Sequence, residues 1–355
     1  MATHFYPLTI KKIVQETADC VSISFTIPDN LSSTFTYKEG QNVTLRTQIN
    51  GEEVRRSYSI CNAPHEGELR VAIKKVEGGV FSTYANAQLQ QGSTIEVMPP
   101  TGKFTVKSKV GNYLGIASGS GITPIIGIIK HVLYTQPHSQ FTLLYGNKNR
   151  ASIIFFEAIE ALKNTYMERF TCINILSRER TDASINYGRI NDEKLQALQP
   201  LIQFKNFNHA YLCGPEQMIF SSAAYLEKVG IAKENIHFEL FNAVGKKTLT
   251  NIQQPETIAD IELKDITIKL DGRSFQFKLA TKGQNILDAA LQQGADLPYA
   301  CKGGVCCTCR AKLIEGKVHM DVNYALEPDE VVQGFILTCQ SHPLTDNVVI
   351  DFDEK

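Results

Sequence analysis

The stretch Cys301-Lys-Gly-Gly-Val-Cys306-Cys-Thr-Cys309 constrains this chain more than any other. Three cysteines stand at the spacing Cys-x4-Cys-x2-Cys, and Cys339 follows after 29 further residues, 310 to 338. That spacing is a pattern of thiolate ligation for a 2Fe–2S cluster. Thiolates gathered round a cluster need a loop of small residues, because the backbone folds tightly about the sulfurs and offers them N–H donors. Gly303 and Gly304 supply that freedom. A structural zinc site is the alternative, but it would use Cys-x2-Cys pairs at both ends, and only one end has such a pair. Cys307 sits between ligands without breaking the spacing and is not counted among them. A cluster that passes single electrons needs a source, which the rest of the chain has to supply.

At 355 residues the chain is long enough for two or three domains. No apolar run approaches the roughly 20 residues of a membrane span. The N-terminus lacks a basic start followed by an apolar core, so no signal peptide is expected. Nine cysteines is an odd count, which fits a reducing compartment where thiols persist, read here as cytoplasmic. Net charge is −1, but residues 260–355 carry 15 acidic and 10 basic groups while the preceding part is mildly basic. That asymmetry suits electrostatic docking between redox modules or partners, or is a solvated face. No basic run with interleaved aromatics points to nucleic acid.

Residues 1–109 alternate in short apolar segments (NVTLRTQI, RRSYSI, LRVAIKKV) between Gly, Asn, Asp and Pro signals, which predicts an antiparallel β-barrel. Inside it lie Arg56-Ser57-Tyr58-Ser59 on a strand and Gly78-Gly79-Val80-Phe81-Ser82 after it. An Arg forks to a phosphate, a Tyr lies flat on an aromatic ring system, and paired glycines before a helix bring N–H groups to an anion. Taken singly, each is equally a chance tetrapeptide or a turn.

Residues 110–242 change to strand–helix alternation. A buried strand over 113–118 leads into Gly119-Ser120-Gly121-Ile-Thr123-Pro124 and a helix, with Thr123 the expected N-cap and Pro124 the first helical position. A glycine turn between a parallel strand and a helix N-terminus is a pyrophosphate site. A second strand (141–147) precedes a helix expected over SIIFFEAIEALKNTY, and a third (171–177) ends at Ser177-Arg178. No acid follows the second strand to bond a ribose diol, and Arg marks a 2′-phosphate. A fourth strand, HAYLC, runs into Gly214-Pro215-Glu-Gln-Met218; by itself Cys213 reads as a small buried hydrophobe. Residues 243–259 are polar without period and read as a linker. From 260 to 355 come a hairpin at Asp271-Gly272, a helix over NILDAALQQG, the cysteine loop, and strands including one, FILTCQ, that holds Cys339.

In this order the motifs resemble the ferredoxin–NADP reductase superfamily, followed by a domain that is similar to the plant-type ferredoxin β-grasp fold. The resemblance covers nearly the whole chain. It implies an FAD-binding barrel (1–109), an α/β Rossmann-like NADPH domain (110–242), the linker and a 2Fe–2S domain (260–355). It also implies that Arg56 meets the FAD pyrophosphate, with Ser57 beside it among the cofactor-binding residues, Tyr58 lies on the isoalloxazine, Ser59 near its N5, and Ile73 and Lys74 on the strand beside it. Gly79, Val80 and Ser82 would form the phosphate turn; Gly119, Ser120, Gly121, Thr123 and Pro124 the nucleotide turn; Ser177 and Arg178 the 2′-phosphate contact. Cys213, Gly214, Pro215 and Met218 would lie beside the nicotinamide, and Ser59, Cys213 and Glu239 would act at the hydride-transfer centre. Cys301, Cys306, Cys309 and Cys339 would hold the cluster.

The domain order is similar to that of reductase components of multicomponent oxygenases, with the cysteine loop most like those serving phenylacetyl-CoA oxygenases. That implies electron flow from NADPH through FAD and the cluster to an oxygenase of the di-iron type. The alternatives are a general NADPH–ferredoxin or flavin oxidoreductase with another acceptor, and a redox sensor that binds flavin without turnover.

Overall fold

Asn50 and Gly51 form a two-residue loop with φ of 54° and 81°, the left-handed pair that a tight hairpin requires. It joins β3 (Asn42–Ile49) to β4 (Glu52–Ser59) in a six-stranded sheet with β1 (Tyr6–Thr17), β2 (Cys20–Thr26), β5 (Leu69–Lys74) and β6 (Thr94–Val97). The strand order is β4-β3-β6-β1-β2-β5, and an antiparallel bridge from Ile60 to Val71 joins its two ends into a barrel. Inward residues such as Leu8, Ile23, Leu45, Val71 and Val97 fill it, and α1 (Val80–Ala87) adds Phe81 and Ala85 to that core. The structure is a computed structural model that describes residues 4–241 and 262–354. The expected linker, 243–259, lies outside the described residues.

The second sheet is parallel throughout, in the order β11-β10-β7-β8-β9. Its strands are β7 (Asn112–Ser118), β8 (Gln140–Asn147), β9 (Phe170–Leu176), β10 (His209–Gly214) and β11 (Ile236–Leu240). The helices α2 (Ile122–Thr135), α3 (Phe156–Thr165), α4 (Asp192–Leu198) and α5 (Glu216–Lys228) alternate with them. The apolar face of α2, with Ile125, Ile128 and Ile129, packs in one core with Tyr113 and Leu143 of the sheet and Cys20, Cys61 and Ala72 of the barrel. Barrel and parallel sheet thus share buried surface and form one unit, residues 6–54 and 58–241.

The expected helix from Ser152 begins later, at Phe156. Asn149 accepts from the Ser152 N–H at 3.0 Å and the Ser152 hydroxyl accepts from the Asn149 N–H at 3.1 Å, which closes a short turn. Ile153 and Ile154 then run into the core, and Phe155 turns through a left-handed φ of 61° before the helix starts. Burial of the isoleucines overrides the helical pattern.

Residues 262–354 form the body of the second unit. The Asp271–Gly272 turn (φ 51° and 69°) joins β12 (Leu263–Leu270) to β13 (Arg273–Ala280), as expected. These belong to a mixed sheet with β14 (Arg310–Glu315), β16 (Phe335–Leu337) and β18 (Asn347–Asp351), ordered β13-β12-β18-β14-β16. Strands β15 (Val318–Met320) and β17 (Ser341–Pro343) pair separately, and α7 (Pro328–Val332) precedes β16. Helix α6 (Ile286–Gln292) is capped by Asn285, which accepts from the Asp288 N–H, and buries Ile286, Leu287 and Ala290 against the sheet. Cys339 is not on a strand: β16 ends at Leu337, and Cys339 sits in the 3-10 turn Thr338–Gln340 that follows.

Candidate functional site

The end of β4 carries the barrel's polar chemistry. Tyr58 is half-buried and packs its ring against Phe81 at 5.6 Å between centroids. Arg56 and Ser57 are also half-buried, and the Arg56 guanidinium donates to the Arg55 carbonyl at 2.7 Å. Ser59 is buried and donates to Glu239 Oε2 at 2.9 Å. Glu239 pairs in parallel register with Cys213, and Cys213 with Ala117, so the ends of three strands meet at this point. Desolvation pushes the Glu239 carboxyl up to about 7, with the Ser59 hydrogen bond opposing. Burial first, then the Glu239 carboxylate, pushes the Cys213 thiol well up. Ser59, Cys213 and Glu239, drawn from two different sheets, are therefore brought together.

Beyond β5 the chain turns at Gly78 and enters α1, with Gly79 as N-cap. A β-carbon on Gly79 would crowd Ser82 Oγ and force that hydroxyl out of its place in the turn. Ser82 Oγ accepts from the Val76 N–H at 3.1 Å and donates to the Gly79 carbonyl at 3.3 Å, which makes it the clasp of the turn. Val80 opens the helix and is exposed. The bare backbone at a helix start suits a phosphate, and Tyr58 suits an aromatic ring, so these residues fit FAD. Ile73 is buried within the barrel core, whereas Lys74 beside it faces outward and lines the neighbouring cavity.

That cavity, of roughly 730 Å³, opens over the C-terminal ends of the parallel strands. Gly119, Ser177, Arg178, Pro215 and Met218 line it, together with Ser118, which the sequence had not singled out. Crevices at this end of a parallel sheet are where nucleotides bind. Thr123 is not the N-cap of α2; Gly121 is. The turn Gly119–Gly121 is itself helical, so the helix begins two residues earlier and the Thr123 hydroxyl donates back to the Ser120 carbonyl at 3.0 Å. Pro124 thus occupies the third helical position, where its missing N–H still costs no intrahelical bond. Gly121 touches the far strand: a β-carbon there would lie 2.1 Å from the Cys213 carbonyl oxygen.

Ser177 donates through both its N–H and its hydroxyl to the Asn147 carbonyl, at 2.9 and 3.2 Å. Arg178 stands exposed at the rim beside Lys148. Arg189 lines the same cavity and was not singled out by the sequence. Its loop joins the sheet through the Gly188 N–H, which donates to Leu176 at 2.9 Å, a long-range contact with no local pattern.

The cysteine loop winds through left-handed residues Lys302 (φ 52°) and Gly304 (φ 72°). It brings Cys306 Sγ to 3.1 Å from Cys301 Sγ, and the Gly303 N–H donates to Cys301 at 3.3 Å. The Cys306 thiol and then the N–H groups of Gly303 and Val305 hold Cys301 below the usual thiol range against its burial. Cys339 is likewise lowered by its partner, the Cys309 thiol. The four sulfurs form two pairs, 301 with 306 and 309 with 339. Among the described residues no three His, Cys, Asp or Glu side chains gather closely enough to hold a metal ion, and the cysteines meet only pairwise. Two cysteine pairs with amide donors, at the spacing of the loop, fit a two-iron cluster. Cys307 instead turns its sulfur to the Ala325 carbonyl at 3.2 Å.

Three family models match the chain in succession. They are an oxidoreductase FAD-binding domain over residues 7–106, an oxidoreductase NAD-binding domain over 116–223, and a 2Fe–2S iron–sulfur cluster binding domain over 268–344. The chain is 45% identical to one of the subunits of 1,2-phenylacetyl-CoA epoxidase from Escherichia coli (strain K12), over 99% of each chain. It is 33% identical to the ferredoxin reductase component of 3-ketosteroid-9-alpha-monooxygenase from Rhodococcus rhodochrous, over 97% of this chain and 96% of the other. Among solved structures, phthalate dioxygenase reductase shares the fold with a TM-score of 0.61 and 22% identity over 98% of each chain.

Proposed function

Since this chain belongs to the family of FAD- and NAD-dependent reductases that carry a 2Fe–2S ferredoxin domain, we propose that it takes hydride from NADPH and delivers single electrons to an oxygenase. The observation that carries this reading is the identity of 45% over 99% of the chain to a component of an epoxidase, together with the order of the three domains. By that likeness the acceptor is a phenylacetyl-CoA epoxidase, a di-iron oxygenase, and the protein works in the cytoplasm. The domain limits we propose are 1–109, 110–242 and 260–355, joined by 243–259.

Bound FAD supplies the conversion of a two-electron hydride into single electrons, and the cluster their outlet. The chain's own residues place and insulate that chemistry. Arg56, Ser57, Tyr58 and the Gly79–Ser82 turn hold the flavin's phosphates and ring. The turn at Gly119–Pro124 holds the nucleotide pyrophosphate, and Ser177 with Arg178 reads its 2′-phosphate. Gly214, Pro215 and Met218 leave a flat apolar wall for the nicotinamide. Cys213 stays a neutral thiol, which keeps an added charge away from the transferring hydride. Ser59, bonded to a Glu239 poised near neutrality, holds a proton at the flavin's edge. Cys301, Cys306, Cys309 and Cys339 hold the cluster.

The test is steady-state reduction of the co-purified or reconstituted phenylacetyl-CoA epoxidase, followed by NADPH oxidation. Substrate-dependent turnover supports the reading. Rapid reduction of cytochrome c with no turnover of that oxygenase would refute its acceptor, and reduction of neither would refute the enzyme.

A further inference from the structure

Two buried hydroxyls govern the carbonyls of the nucleotide turn. Tyr145, on β8, donates to the Gly119 carbonyl at 3.0 Å, and Thr123 donates to the Ser120 carbonyl at 3.0 Å. Tyr145 stands beside Ala117 in register, directly under the end of β7, and is fully buried. Gly119 lines the cavity and takes a left-handed φ of 54°. A planar trans peptide sets its N–H opposite its C=O. Drawing the Gly119 carbonyl onto the Tyr145 hydroxyl therefore turns the Ser120 N–H away from the core. The Thr123 hydroxyl does the same for the next peptide and the Gly121 N–H.

We propose that Tyr145 is a positioning residue for the dinucleotide pyrophosphate: its hydroxyl locks the Gly119–Gly121 peptide planes so that their N–H groups stay aimed at phosphate oxygens. This rests on the reading of the cavity as the NADPH site. Without the lock, the peptide plane after Gly119 has fewer restraints, and glycine imposes little preference of its own. Tyr145 is fully buried and does not line the cavity; it acts through the turn. Burial holds its phenol far above the usual value, so the hydroxyl keeps its proton and remains a donor throughout the working range. The Ile154 carbonyl, at 3.4 Å, offers the hydroxyl a second acceptor if the turn shifts. The Ile122 N–H also bonds the Gly119 and Ser120 carbonyls, so loss of the phenol loosens the turn without abolishing it.

The experiment compares full-length holoprotein with Tyr145→Phe, each checked for flavin and cluster by visible absorption. Calorimetric titration uses NADP+ and, separately, 2′-AMP, which has the adenosine and 2′-phosphate but no pyrophosphate. The variant is expected to bind NADP+ roughly fivefold more weakly, as for one lost neutral hydrogen bond, and 2′-AMP unchanged. KM for NADPH rises with kcat within about twofold. Unchanged NADP+ affinity, or an equal loss for 2′-AMP, overturns the proposal while leaving the nucleotide site standing. Wild-type protein that binds no NADP+ overturns the site itself. Independently of any variant, NADP+ is expected to slow amide exchange at residues 119–121 of the wild type, and unchanged exchange there also overturns the proposal.

Discussion

Ser59 on the barrel donates a 2.9 Å hydrogen bond to Glu239, 180 residues further on, at the edge strand of the parallel sheet. The carboxyl it meets is held near 7 by desolvation, against an ordinary value of 4.5. Below pH 4.5 this carboxyl is neutral folded or unfolded. Between 4.5 and about 7 only the folded state keeps the proton, so the contribution to stability falls as pH rises through that window and stays lost above it. The loss is on the order of a few kcal/mol, at about 1.4 kcal/mol for each pH unit between 4.5 and about 7.

Glu239→Gln is neutral at every pH. Its melting temperature should fall less than that of the wild type between pH 5 and pH 8. Parallel pH dependence of the two proteins, followed by thermal melts, would remove Glu239 as the group responsible.

Gly121→Ala tests the packing of the nucleotide turn on β10. The added methyl would lie 2.1 Å from the Cys213 carbonyl oxygen and 2.8 Å from the Gly214 nitrogen, both rigid backbone. The expected destabilisation is on the order of 3 kcal/mol. A melting point within about 2 °C of wild type would show that the strand and turn separate easily.

Arg178→Ala should raise KM for NADPH about tenfold and leave KM for NADH nearly unchanged, since only NADPH carries the 2′-phosphate. Equal effects on both coenzymes would show that Arg178 does not read that group. Arg189 would then be the next residue to replace, because it lines the same cavity.

Cys306→Ser should abolish the visible absorption of the cluster while NADPH still bleaches the flavin. Cys306 lies 3.1 Å from Cys301, in a different unit from the residues that line the nucleotide cavity. Loss of both chromophores would mean that the cluster supports the flavin's own binding.

The architecture was legible because its signals are local. Asp271–Gly272, the alternating strands before residue 100 and the glycine turn after β7 each state their own geometry within a few residues. The cysteine spacing did the same for the cluster loop. Features set by distant contacts were not legible. The start of α3 was decided by burial of Ile153 and Ile154. Tyr145 read as an ordinary apolar strand residue, because its acceptor, Gly119, lies across the sheet 26 residues earlier. The Ser59–Glu239 pair was foreseen only as two separate residues, since its geometry depends on how barrel and sheet share a core.

Strand β18 lies between β12 and β14, in the middle of the last sheet, although it is the sheet's final strand in sequence. Ile350 and Val348, both fully buried, fill its centre. During synthesis the earlier strands therefore emerge with their central partner missing, and the sheet closes only once residues 347–351 are out. Iron insertion into a finished domain is thus confined to the period after that strand has been made. A frameshift between Cys339 and Asn347 would leave the four cysteines present but the scaffold that orients them without its middle.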